Sequence, residues 1–259
     1  MLRLASKASH PGDLNHPHWE LCLARTVVLV IRRPPGYPGP RGLKPPSRFL
    51  RRRHPLFLLG PEDSRPLTDL LSTKDALRRH MRGRRRDLAE LIPDAAERAA
   101  ACLPLEALPP FSVVAGYHAL GAELSPWPVL RRLQGAGARI VLPVAPEPHA
   151  PLLFRAFAPD QPLEPDAARI PSPTAAAEAL TPDLVVAPLI AFDRLGFRLG
   201  QGGGYYDRTL AALRAAGPLF VIGLAYAGQE VERIPRDAHD QPLDAFLTET
   251  GYHPVRKDD

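Results

Sequence analysis

Cysteine is nearly missing from this sequence, and so is any apolar run long enough to cross a membrane. Only Cys22 and Cys102 occur in 259 residues. They make neither a disulfide framework nor a paired metal-ligand spacing, so a reducing compartment is the default. The longest early apolar run, TVVLVI at 26–31, is about a third of the 18 or so residues a membrane helix requires. No apolar core follows the early charges as it would in a secretory signal. The expectation is a cytoplasmic protein that works without a membrane.

An evenly spread positive charge is missing as well. The formal net charge is +5, but residues 1–70 hold 12 Lys/Arg against 5 Asp/Glu, a net of +7. The remainder holds 21 against 23, a net of −2. A nucleic-acid partner is therefore not required by the main body of the chain. The basic segment also lacks any sustained period of two or 3.6, and it carries 11 of the 32 prolines, in clusters such as RRPPGYPGPRGLKPP at 32–46. Such sequence buries too little apolar surface to offset its ordering entropy. Three readings stand for residues 1–71: a disordered basic extension, translated upstream sequence from a misplaced start, or an arginine-rich targeting peptide. Met81 is the only internal methionine, so a misplaced start needs a non-AUG codon before Lys74.

Ordered structure is expected over 72–252, with a flexible tail at 253–259. Ser72 or Thr73 caps a helix over 73–90, with Ala76, Leu77, His80 and Met81 on one stripe continued by Leu88 and Leu91. Pro93 separates it from a second helix at 94–102. Arg78, Arg79, Arg82, Arg84, Arg85 and Arg86 spread around the first helix and read mostly as a solvated face. From 111 onward the pattern becomes α/β. Strands are expected at 111–119, 139–145, 151–158, 182–193 and 218–226, and helices at 127–138 and 205–217. The continuous apolar run PDLVVAPLIAFD (182–193) suits a strand buried on both faces. Strand, loop, helix, strand implies a mainly parallel sheet with flanking helices in a single three-layer α/β domain, with ligands at the carboxyl ends of the strands.

Between the last two strands lies RLGQGGGYYDR (198–208). It is not a phosphate loop of the G-K-[ST] kind, because Tyr205 and Tyr206 stand where the lysine and hydroxyl would be. It is not a dinucleotide fingerprint either, because the third required glycine falls on Tyr205 or Asp207. Four glycines at a helix amino end can still expose backbone N–H groups as an anion nest. Arg198 can add a planar fork for phosphate. Asp207 can offer an oxygen to Mg2+. The tyrosines provide rings for a flat ligand, or simply core.

The stretch PDLVVAPLIAFDRLGFRLGQGGGYYDRTLA closely resembles the signature of the 5-formyltetrahydrofolate cyclo-ligase (methenyltetrahydrofolate synthetase) family. Three further segments fall in the family's order: KDALR (74–78), GYHALGAELSP (116–126) and IPRDAHDQPLDAFLTE (234–249). The resemblance covers about 72–250. It implies a fold of the ribose-phosphate isomerase and transferase type. It also implies ATP- and Mg2+-dependent cyclisation of 5-formyltetrahydrofolate to 5,10-methenyltetrahydrofolate, with ADP and phosphate released through a phosphorylated formyl intermediate. Carried over by position, Lys74, Arg78, Arg198, Leu199, Gly200, Gln201, Gly202, Gly203, Gly204, Tyr205 and Tyr206 would meet ATP. His118, Glu123, Gln201, Gly202, Gly203, Gly204 and Tyr205 would meet the folate, polyglutamylated or not. Asp207 and Asp240 would hold Mg2+, and Arg198 and Asp207 would act in catalysis. Some relatives carry lysine where this chain has Gly203. A monomer or weak dimer suffices. The rival from another class is a sugar-phosphate isomerase or CoA-handling enzyme on the same architecture, which leaves Asp207 and Asp240 unexplained.

Overall fold

The short apolar runs after residue 110 become the strands of one central sheet. The computed structural model describes residues 73–255; the extension read over 1–71 and the last four residues lie outside them. Four α-helices are described: α1 (Lys74–Leu91), α2 (Ala95–Ala101), α3 (Trp127–Gly135) and α4 (Tyr205–Ala216). The strands are β1 (Val113–Ala115), β2 (Arg139–Val144), β3 (Leu153–Ala156), β4 (Leu163–Pro165), β5 (Pro171–Pro173), β6 (Leu184–Pro188), β7 (Ala191–Phe192), β8 (Arg198–Leu199), β9 (Phe220–Leu224), β10 (Ala245–Thr248) and β11 (Gly251–Pro254).

Among the described residues seven strands form the main sheet, in the order β11-β10-β9-β6-β1-β2-β3. The five central strands are parallel, and the two edges, β3 and β11, are antiparallel to their neighbours. The mainly parallel α/β architecture expected from the sequence is the one observed. Strand β6 shows why its run is apolar throughout. Leu184 and Val186 point into one core with α2 and α3, where Ala99, Leu130 and Leu133 are buried. Val185 and Ala187 point into the other, against Leu210 of α4. Helices on both faces leave no wet side on this strand. From β1 the chain proceeds to β2 on one side, while β6 leads to β9 on the other. The carboxyl ends of β1 and β6 therefore flank the switch point at which open α/β sheets bind ligands.

Several boundaries differ from expectation. The run 182–193 is not one strand: β6 ends at Pro188, and β7 pairs with β8 in a separate two-stranded ribbon. The buried Asp193 organises that hairpin by accepting from the N–H groups of Leu195 and Phe197, and it ties in Ile234 N–H as well. The strand read at 111–119 stops at Ala115. The last strand runs to Pro254, across the expected boundary at 252. The stripe on α1 is also different. Leu77, Met81 and Arg85 are its buried residues, whereas Leu91 is 76% exposed and His80 is exposed. Thr73 does cap α1, accepting from Ala76 N–H at 3.2 Å. Among the described residues no helix is long and apolar enough to cross a membrane.

One glycine in β9 is required by close packing. A β-carbon at Gly223 would lie 2.6 Å from Leu243 Cδ1, 2.8 Å from Leu189 Cδ2 and 3.0 Å from Phe246 Cδ1. Three side chains from separate segments cannot all step back in a dense core. Gly223→Ala is expected to destabilise by about 1–2 kcal/mol, overpacking outweighing the smaller unfolded-state entropy of alanine. Thermal unfolding should show a Tm lower by about 3–6 °C; an unchanged Tm would mean the core yields at this point.

Candidate active site

The glycine segment links β8 to α4 at the carboxyl side of the sheet. Gly202 has φ of +108° and Gly204 has φ of +65°, conformations open to glycine at little cost and strained for most other residues. Gly204 is the N-cap of α4, and no side chain among the described residues caps that end. The first N–H groups of the helix are thus available to an anion, and the helix dipole favours one there.

This loop borders a cleft of about 890 Å3, at the upper end of the range for small-molecule sites. Its floor comes from the ends of the parallel strands: Tyr117 and His118 after β1, Pro143 and Ala145 around the end of β2, and Pro188 to Ile190 after β6. The β4–β5 ribbon, which no sequence period announces, supplies Asp166, Ala168 and Ile170 to another wall. Asp166 anchors that wall by accepting from Ala145 N–H at 2.8 Å and from the N–H groups of Ala168 and Ile170.

Helix α1 brings cations to the loop. Leu77 and Met81 pack with Ile190, Leu199 and Ile234, which turns the start of the helix toward the glycines. Arg78 Nε donates to Gly200 O at 2.9 Å, and its NH1 pairs with Asp75. Lys74 Nζ lies 2.7 Å from Asp237 Oδ2 and 2.7 Å from Asp240 Oδ2. Partial burial opposes its charge, but hydrogen bonds to the two carboxylates win and raise its pKa above the ordinary lysine value. Asp237 is held below the usual carboxylate range, mainly by the Lys74 hydrogen bond. A cation at a helix amino end is unfavourable alone; these two acids resolve the conflict.

The other expected residues gather in the same place. Arg198 is buried. Its NH2 donates to Asp207 Oδ1 at 2.8 Å and its NH1 to Gln241 O at 2.7 Å. The open phosphate fork expected from the sequence is thus already engaged within the protein. Burial lowers the Arg198 pKa from its ordinary value, opposed chiefly by the Asp207 charge. Asp207 Oδ1 also accepts from Gln241 N–H. Tyr206 has a buried hydroxyl without a partner among the described residues; burial pushes its pKa well up, and the Glu123 charge adds to this. Glu123 accepts from Leu120 N–H, Gln201 Nε2 and Arg85 NH1. Leu199 packs in the core cluster against α1 and also borders the cleft, as do Tyr205, Gln201, His118 and all four glycines.

Three groups escaped the sequence reading. Arg85, taken as part of a solvated face, is buried and pairs with Glu123 at 3.2 Å. Its spacing continues the Leu77–Met81 stripe, but the partner that lets a guanidinium be buried there is 38 residues away. Asp237 and Arg208 lie within matching segments whose pattern gives neither of them a role. Among the described residues no three His, Cys, Asp or Glu side chains cluster as a metal cage. Asp207 and Asp240 both line the cleft, and carboxylates are the donor type that Mg2+ takes, one or two of them together with phosphate oxygens and water. Asp240 already attracts a cationic group, the Lys74 ammonium.

Comparison with known proteins is consistent with this geometry. The sequence pattern of the 5-formyltetrahydrofolate cyclo-ligase family matches residues 71–249. The 5-formyltetrahydrofolate cyclo-ligase of Escherichia coli is 36% identical over 140 residues, covering 52% of this chain and 76% of that protein. The Haemophilus influenzae protein of the same name is 35% identical over 135 residues, covering 50% and 72%. Among solved structures, the 5,10-methenyltetrahydrofolate synthetase of Aquifex aeolicus superimposes with a TM-score of 0.58 at 28% identity, covering 72% of this chain and 94% of that one. With the pattern matched across the whole cleft-bearing region, the chain belongs to the 5-formyltetrahydrofolate cyclo-ligase family.

Proposed function

We propose that this enzyme uses MgATP to cyclise 5-formyltetrahydrofolate to 5,10-methenyltetrahydrofolate, releasing ADP and phosphate. The observation that carries the reading is the glycine turn at 200–204, which shares one cleft at the carboxyl ends of the strands with Asp207, Asp240, Lys74 and Arg78. A formyl oxygen is a poor leaving group. Bound MgATP would supply a phosphoryl group to that oxygen; the neighbouring folate nitrogen then attacks the formyl carbon, its proton is lost, and phosphate leaves with the oxygen. No protein nucleophile is needed.

The chain's own part is positioning and electrostatics. The N–H groups of the glycine turn, Lys74 and Arg78 hold the phosphates. Asp207 and Asp240 would hold Mg2+, directly or through water. Arg198, fixed by Gln241 O, orients the Asp207 carboxylate and keeps a positive charge beside the transferring group. Glu123 accepts from the N–H groups of the pterin ring, with Tyr205 and His118 in the same wall. The largely apolar floor and the β4–β5 ribbon limit water at the reacting atoms. The expected result of mixing protein, MgATP and 5-formyltetrahydrofolate is the appearance of methenyltetrahydrofolate absorbance that requires all three. A folded protein that gives no such absorbance refutes the reading.

A further inference from the structure

Among the described residues four Lys/Arg side chains line the cleft: Lys74, Arg78, Arg198 and Arg208. Three of them are paired with carboxylates: Lys74 with Asp237 and Asp240, Arg78 with Asp75, and Arg198 with Asp207. Arg208 has no carboxylate partner among the described residues. Its NH2 donates to Gly203 O at 2.8 Å, and its guanidinium carbon lies 5.4 Å from the centroid of the Tyr205 ring. Its Nε is shut off from solvent without a hydrogen-bond partner among the described residues, a state that costs free energy unless a ligand or a shift of the side chain supplies an acceptor.

The position adds to the imbalance. Arg208 sits just inside the amino end of α4, where the dipole disfavours a cation and favours an anion. The side chain nevertheless turns back across the glycine turn. A β-carbon at Gly204 would lie 2.7 Å from Arg208 NH1, so the missing side chain at 204 is what lets the guanidinium lie there. Backbone N–H groups and an uncompensated guanidinium thus converge on the same few ångströms.

We infer that Arg208 is a phosphate-binding residue of the nucleotide subsite, the cation whose charge is neutralised only when a polyphosphate occupies the glycine turn. This rests on the reading of the cleft as a nucleotide and folate site, and it assigns to Arg208 the open guanidinium contact that the enclosed Arg198 does not offer. A phosphate is favoured over a folate carboxylate because the guanidinium lies over Gly203 and Gly204, next to the uncapped helix end.

Binding of MgATP, adenosine, pyrophosphate and 5-formyltetrahydrofolate to the wild type, Arg208→Gln and Arg208→Lys tests the inference by calorimetry, alongside Tm. Arg208→Gln should weaken MgATP and pyrophosphate about 10- to 100-fold, leave adenosine and folate within about twofold, and leave Tm unchanged. Arg208→Lys should restore part of the loss, since it keeps charge without the fork. Three results would overturn the inference: unchanged affinity for the phosphates, equal loss for adenosine, which would mean disturbed Tyr205 packing, or loss confined to folate, which would move the contact to a carboxylate. A wild type that binds pyrophosphate through Arg208 but forms no methenyltetrahydrofolate would sink only the underlying reading; one that binds neither nucleotide nor pyrophosphate overturns both.

Discussion

Asp207→Asn is expected to cut turnover at least tenfold and to raise the Mg2+ concentration needed for half-maximal rate. Asparagine keeps an oxygen for the Gln241 N–H but removes the negative charge. That charge faces a guanidinium whose side chain is only 3% exposed, while the carboxylate itself is 29% exposed. Breaking a fully buried pair by removing one partner costs about 3–5 kcal/mol. Solvent reaches this carboxylate, so a loss of roughly 2 kcal/mol is the expectation, seen as a Tm lower by about 4–8 °C. The two readouts separate two roles. A lower Tm with the Mg2+ requirement unchanged would leave Asp207 as the holder of Arg198 and take it out of the metal site. Unchanged kinetics would remove it from the chemistry altogether.

That separation matters because a family signature mixes residues that shape the site with residues that act in it. Asp193 builds the β7–β8 hairpin. Asp244 accepts from Val221 N–H, and Glu249 from Ala227 N–H; both belong to the matching C-terminal segment, yet their bonds hold loops and strands together. Sequence alone shows that an acid is present, not which backbone amide it meets.

What could be read in advance follows from local rules. The apolar run at β6 announces a strand covered on both faces, Thr73 announces a helix start, and the glycines announce a turn at a helix amino end. Each signal lies within a dozen residues. What could not be read depends on distant partners or on elements too short to show a period. Strands β4 and β5 are three residues each and contain three prolines between them, so propensity argues against them. Strand β10 is buried throughout its four residues, too few to distinguish from core helix. Arg85 sits on the buried stripe of α1 only because Glu123 and Leu189 O receive its guanidinium. Arg198 reads as an open cation until Asp207 and Gln241 O are seen to enclose it.

The same helix gives the other large expected effect. We propose that the catalytic domain begins near residue 72, where the family match also begins. Deleting residues 1–70 should leave turnover and Tm within experimental error, whereas a chain starting at Met81 should show no turnover. The shorter chain loses Leu77, which is 4% exposed against Ile190, Leu199 and Ile234; losing one such leucine typically costs about 2–5 kcal/mol. It also loses Lys74 from Asp237 and Asp240, and Arg78 from Gly200 O. Inactivity alone would not distinguish a collapsed wall from missing phosphate contacts. The full chain carrying Lys74→Met and Arg78→Met does, because Leu77 and the helix remain. That variant should unfold within a few degrees of wild type yet show an apparent KM for ATP at least tenfold higher, with the KM for folate little changed. A double variant with wild-type ATP kinetics would reduce α1 to a packing element and leave the glycine turn to hold the nucleotide without it.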